Sequence, residues 1–128
     1  MIVDSSAVVA ILLQEPGHEE LVAKLATAPS AAIGAPTLTE CGMVLTARLG
    51  TRGRVLLDAF LARFGLVEVP FGERHWRIAL DAFETFGKGR HPASLNFGDC
   101  MSYSVARLAN RPLLCIGNDF PRTDLPLA

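Results

Sequence analysis

The sequence predicts an α/β domain of three layers, α/β/α, around a central parallel sheet of four to five strands. Three observations carry that reading. Short apolar runs alternate with amphipathic helical stretches along the whole chain. Glycine or proline marks most of the junctions. Half of the 128 residues are hydrophobic and 20% are charged, with a mean hydropathy of +0.32, enough apolar material for one well-filled core and for a partner surface besides.

The elements follow in order. Residues 1–3 form the first strand, and 6–13 a short apolar helix that stops near Pro16 and Gly17. Residues 17–28 place Leu21, Val22 and Leu25 on one face and Glu19, Glu20 and Lys24 elsewhere, the spacing of an amphipathic helix. A second strand over 31–34 leads into a helix over 37–49, which Gly50 closes. Residues 52–64 repeat the apolar stripe with Leu56, Phe60 and Phe64 before Gly65. The third strand covers 66–69. Next comes a helix over 73–86, then Gly87 and a breaker-rich loop over 88–95. The last long helix spans 97–109 and ends at Asn110 and Pro112; a fourth strand covers 113–116, and a short fifth is allowed after Asp119. No repeat, linker or low-complexity segment divides the chain, so residues 1–128 are expected to form a single domain.

Composition narrows the function classes. A net charge of −1 gives no global pull toward nucleic acid, so any such binding rests on a local basic patch. The longest apolar run, 7–13, is far short of the roughly 20 residues of a membrane-spanning helix. No basic leader precedes an apolar stretch at the N-terminus, and the expectation is a cytoplasmic protein. Cys41, Cys100 and Cys115 are odd in number, widely spaced and set in apolar stretches. They read as buried thiols of a reducing compartment, not as a disulfide frame or a zinc site.

Four carboxylates stand where an apolar run gives way to a helix or turn: Asp4, Glu40, Asp99 and Asp119. Singly, each has a structural explanation. Asp4 caps a helix, Thr37 and Glu40 fit a capping box, Asn96 and Asp99 fit another, and Asn118–Asp119 reads as a turn pair. Together they point elsewhere. In a parallel α/β fold, helix N-termini face the same end as strand C-termini, so all four acids project from one rim. The nine other acids, Asp124 among them, sit on helix faces or in loops and read as solvated charge. Several carboxylates in one pocket repel one another, and Mg²⁺ or Mn²⁺ relieves that repulsion through oxygen ligands. The chemistry then available is hydrolysis of a phosphodiester.

The segments Met1-Ile2-Val3-Asp4-Ser5-Ser6-Ala7, the Glu40 helix, Asn96-Phe97-Gly98-Asp99-Cys100 and Leu113 to Phe120 resemble those of PIN-domain ribonucleases. More narrowly, they are similar to VapC-type toxins of bacterial toxin–antitoxin (VapBC) pairs. The match runs over nearly the whole chain with the acids in order. The resemblance implies a PIN-like fold and an endoribonuclease toxin dependent on Mg²⁺ or Mn²⁺, a homodimer, neutralised by a VapB-type antitoxin. By position, Asp4 and Asp99 are its principal metal ligands, Glu40 is a ligand or an orienter of water, and Asp119 is the fourth acid. Ser6 matches a small polar residue that supports the site. Many members carry an acid two places before Asp119, where this chain has Gly117.

Lys88, Arg90 and His91 form a candidate phosphate-contacting lip, so Ser6, Lys88 and Arg90 are the candidate substrate contacts; a solvated loop is the alternative. Arg48, Arg52 and Arg54 make a weaker second patch, and Arg122 is placed to hold substrate. Trp76, Phe83 and Phe86 read as core or interface before base-stacking surface. The stripes on 17–28 and 52–64 offer a groove for an antitoxin helix. Two rival functions stand beside the nuclease: a non-catalytic PIN-like module that binds RNA or protein, and a phospho-acceptor signalling domain.

Overall fold

Four strands pair in parallel in the order β3-β2-β1-β4, where β1 is Ile2–Val3, β2 Ala32–Gly34, β3 Val67–Val69 and β4 Leu113–Leu114. The computed structural model describes all residues from Met1 to Ala128. Six helices complete it: α1 (Ser5–Leu12), α2 (His18–Thr27), α3 (Ala35–Leu49), α4 (Arg52–Phe64), α5 (Glu73–Phe86) and α6 (Phe97–Ala109). A 3₁₀ turn, Phe120–Arg122, follows β4.

The strands are short, yet the period-two alternation of a pleated sheet sorts their side chains into two cores. Val3, Ile33 and Leu114 point to one face and pack with α1 to α4. Ile2 and Leu113 point to the other and pack with α5 and α6. Val3, Ile33, Leu113 and Leu114 are fully buried, as expected of a sheet covered on both sides. The three-layer α/β/α architecture is the one the sequence predicts.

Topology places the functional edge. From β1 the chain steps outward through β2 to β3, then returns to the far side of β1 for β4. The strand order therefore reverses at the β1–β4 pair, and beyond the carboxyl ends of such a pair an open α/β sheet leaves a crevice. Asp4 stands at one lip of that crevice, and the chain leaving β4 forms the other.

Three elements differ from expectation, each for a local reason. The fourth strand ends at Leu114, because the N–H of Ile116 goes to the Ser6 hydroxyl at 3.1 Å and not to a strand neighbour. The fifth strand shrinks to one parallel bridge between Leu113 and Leu127. Pro126 immediately precedes Leu127 and has no N–H to extend a ladder. The helix expected from 37 begins at Ala35, with Pro36 in its first turn, where a missing N–H is harmless. Thr37 is thereby inside the helix and not its cap. Its buried hydroxyl pairs instead with that of Ser102 on α6, at 3.1 Å.

Two further expectations are refined. Cys41 and Cys100 are buried, but Cys115 is only half-buried. Trp76 and Phe83 leave much of their rings in solvent, while Phe86 packs inward against Tyr103 and His91. No helix is long and apolar enough to cross a membrane.

The Thr37–Ser102 pair joins two helices in a region without water. Thr37→Val is expected to destabilise the fold by about 1–3 kcal/mol in urea unfolding, because it strands the Ser102 hydroxyl. The double variant Thr37→Val/Ser102→Ala is expected to recover much of that loss, since no polar group is then left unpaired.

Candidate active site

Asp4 anchors the site. It leaves β1 in extended conformation, φ −86° and ψ 157°, and caps α1. One carboxylate oxygen, Oδ2, accepts the Ser6 N–H at 3.0 Å and the Ser6 hydroxyl at 2.6 Å. The other, Oδ1, is buried and accepts nothing. With the residue only 2% exposed, this is a carboxylate oxygen withdrawn from water without a donor, an arrangement that is unfavourable unless a cation meets it.

Asp99 sits in the first turn of α6 as half of a capping box. Its Oδ2 accepts the Asn96 N–H at 3.0 Å, and Asn96 Oδ1 accepts the Asp99 N–H at 2.9 Å. The capping role and the place in the acidic cluster are thus both real. Burial raises the Asp99 carboxyl from its ordinary 3.8 to about 6; the Asn96 N–H opposes this, and the charges of Asp4, Asp119 and Glu40 add to it. The acids at positions 4, 40 and 119 are thus all near enough to act on Asp99.

Glu40 rides on α3, half-buried, and does not close a capping box, since the helix starts five residues earlier. Its carboxylate lies against Gly98 of α6. Asp119 is exposed on the segment after β4, where it precedes the 3₁₀ turn and makes no side-chain capping bond. Gly117, where relatives by resemblance carry an acid, has φ +105°, a conformation that L side chains rarely adopt. The bend there carries the chain from β4 toward Asp119.

No basic side chain pairs with any of these acids. The ion pairs of the molecule are Lys24–Glu20, Arg77–Glu73 and Arg107–Asp124. The pocket therefore holds uncompensated negative charge, and all its donors are hard carboxylate oxygens, the set that suits Mg²⁺ or Mn²⁺. No three of the His, Cys, Asp and Glu side chains stand in a ready-made ligating group. Mutual repulsion is reason enough for four carboxylates to spread.

The remaining expected residues fall into place unevenly. The Ser6 hydroxyl is committed within the protein: it donates to Asp4 Oδ2 and accepts the Ile116 N–H, tying the ends of β1 and β4 together. Lys88 and Arg90 are exposed on their loop, with the Arg90 guanidinium 5.3 Å from the Phe83 ring centre. His91 turns inward, edge-on to Phe86, and its Nδ1 accepts the Ala93 N–H. Arg122 donates to the Pro92 carbonyl at 3.0 Å and so pins the 3₁₀ turn to the loop before α6. Asp124 is not simple solvated charge, because it accepts the Tyr103 hydroxyl at 2.6 Å and faces Arg107. Sequence reasoning missed the Ser6–Ile116 link and the Glu40–Gly98 approach; a glycine beside Asp99 was the only visible sign of the second.

Two thiols border the pocket without serving it as nucleophiles. Burial, then the charges of Asp4 and Glu40, push Cys41 up to about 12. Burial, then Asp4 and Asp99, do the same to Cys115. Both stay protonated at neutral pH, so thiolate attack is not the chemistry of this site.

A raised carboxyl pKa in the native state lowers stability as pH climbs. Below 3.8 Asp99 is protonated both folded and unfolded; between 3.8 and about 6 the unfolded chain releases the proton first, and above 6 the loss is complete. In metal-free buffer, Asp99→Asn is therefore expected to raise the thermal midpoint near neutral pH and to leave it unchanged at about pH 4 or below, as read by circular dichroism.

Comparison with known proteins places the chain in a family. Residues 1–125 match the PIN domain family. Ribonuclease VapC36 of Mycobacterium tuberculosis is 50% identical over 126 residues, covering 98% of this chain and 91% of that protein. Ribonuclease VapC28 of the same species is 40% identical over 129 residues, 100% and 97% of the two chains. Among solved structures, the fold superposes on M. tuberculosis VapC20, a sarcin-ricin loop cleaving toxin, with a TM-score of 0.81 at 18% identity over 99% and 97% of the chains. VapBC2 of Rickettsia felis, bound to a DNA fragment from its promoter, gives 0.76 at 19% identity over 99% and 96%. The chain belongs to the PIN-domain family and, within it, to the VapC ribonucleases.

Proposed function

We propose that this protein is a Mg²⁺- or Mn²⁺-dependent endoribonuclease, the toxin of a toxin–antitoxin pair, and that all 128 residues serve as one catalytic domain. The observation that carries the reading is Asp4 Oδ1, buried without a donor in a pocket of acids that no basic side chain neutralises. Relatives named as ribonucleases, matched over nearly their full length, support RNA as the substrate. The VapBC assemblies among the structural neighbours support a VapB-type antitoxin as the partner. Three free cysteines fit a reducing, cytoplasmic setting.

Asp4 and Asp99 are the metal ligands in this reading, each oriented by a hydrogen bond to its second oxygen. A divalent cation held by them would supply the positive charge that offsets phosphate and lowers the pKa of water. Glu40, half-buried and free of any hydrogen-bond partner in the protein, takes the proton of the attacking water on its carboxylate. Asp119 supplies the fourth charge from a more exposed position. Ser6 acts by holding Asp4 and the β4 end in register, while Lys88 and Arg90 meet phosphates of single-stranded or looped RNA.

The homodimer implied by the resemblance has a fitting surface. A groove of about 500 Å³ between α5 and α6 is lined only by apolar side chains, among them Trp76, Leu80, Phe83 and Phe97, the last 80% exposed. Helix α5 carries Glu73, Arg74 and Arg77 in its first half, net positive, and Asp81 and Glu84 in its second, net negative. Two copies of it, antiparallel about a two-fold axis, set unlike charges opposite each other.

Purified protein is expected to cleave RNA with Mg²⁺ or Mn²⁺, and EDTA, Asp4→Asn or Asp99→Asn to reduce that cleavage at least about 100-fold. Equal cleavage under all four conditions removes the proposal. Its expression is expected to arrest growth until the neighbouring antitoxin is supplied. Leu80→Glu, at a position already 54% exposed, is expected to leave the fold intact and give a monomer in sedimentation velocity; an unchanged dimer assigns the contact to another face.

A further inference from the structure

Gly98 has no evident task in the chemistry, yet the structure allows nothing larger there while Glu40 stays where it is. A Cβ built at Gly98 would overlap Glu40 Oε2 and stand 2.9 Å from Cδ and 3.0 Å from Oε1. The obstructed atoms are the far end of a flexible side chain and not backbone. A methyl group there is therefore accommodated by moving the carboxylate, with the helix left in place.

The approach has an electrostatic reason. Gly98 lies in the first turn of α6, where N–H groups have no partner within the helix. The capping box satisfies two of them, the Asp99 N–H on the Asn96 side chain and the Asn96 N–H on the Asp99 side chain. The N–H groups of Phe97 and Gly98 make no hydrogen bond in the protein. The positive end of α6 thus faces a Glu40 carboxylate that has no hydrogen-bond partner in the protein, and attraction of this kind falls off within one helical turn. A side chain at 98 fills the space through which Glu40 comes close.

We infer that Gly98 is a positioning residue: its missing side chain lets Glu40 of α3 reach the N-terminus of α6 and join Asp99 in the cation pocket. This inference rests on the proposed metal role of the acids. It assigns to Gly98 no contact with substrate or cation of its own. Since α3 and α6 come from different parts of the chain, the position of Glu40 depends on what α6 presents to it.

The test compares Gly98→Ala, Glu40→Gln and the double variant with the unmodified protein in Mn²⁺ titration calorimetry, alongside thermal melting without metal. Gly98→Ala is expected to melt at or above the unmodified midpoint, because alanine is the better helix residue. Its Mn²⁺ affinity is expected to fall about 10-fold or more, because the negative charge of Glu40 leaves the cation pocket, the range seen when a residue supporting a metal site from outside its ligand set is removed. The double variant is expected to bind Mn²⁺ no more weakly than Glu40→Gln alone, because both substitutions remove the same carboxylate from the pocket.

Affinity unchanged in Gly98→Ala overturns the inference, as does an additive loss in the double variant. A Gly98→Ala protein that melts well below the unmodified one assigns the glycine to the fold and overturns it equally. Failure of the unmodified protein to bind Mn²⁺ instead strikes the metal reading itself, so the two failures are distinct.

Discussion

Like charges held close together at the reversal point of the sheet govern this molecule. Four carboxylates stand around it with no lysine or arginine paired to them, and one oxygen of Asp4 is buried with no donor at all. Protein folds spend stability on such arrangements only locally, and the surroundings show how it is held in check. Asp4 and Asp99 each keep one oxygen satisfied by backbone or hydroxyl donors, so half of each group is anchored and half is left facing the pocket. The positive ends of α1 and α6, which start beside these two acids, lower the penalty further.

The rest of the architecture serves that edge. Strands of two residues suffice at β1 and β4 because each is gripped from both sides, with Ile2 and Leu113 in one core and Val3 and Leu114 in the other. The carboxylate of Asp4 is thus one residue away from a fully buried valine, and the site inherits the rigidity of the core directly. Ser6 then binds the ends of β1 and β4 to each other through one hydroxyl. The acids contributed by β1 and by the segment after β4 are in this way set on a common frame.

Much of this was legible in the residues. Helices α4, α5 and α6 lie within the limits their glycine and asparagine stops suggest, because those stops act through local backbone conformation. The shared rim of acids followed from helix polarity in a parallel sheet and needed no contact information. Glu40 shows where such reading fails. The pattern Thr37-x-x-Glu40 imitates a capping box, but Pro36 favours an earlier start, and only the three-dimensional pairing of Thr37 with Ser102 reveals what the threonine does. The basic residues were less legible still. Arg122 turned out to hold a loop, and Arg90 to lie over an aromatic ring, since a long side chain chooses its partner by tertiary proximity.

The hydroxyl pair between α3 and α6 bears on how the pocket behaves across conditions. Thr37 and Ser102 are neutral, and either one can give the proton to the other. The seam between the helix that bears Glu40 and the helix that bears Asp99 is therefore fastened by a bond indifferent to acidity and to ionic strength. Charge inside the cleft can rise, fall or be quenched by an incoming ion without altering the protonation of the link that holds its walls.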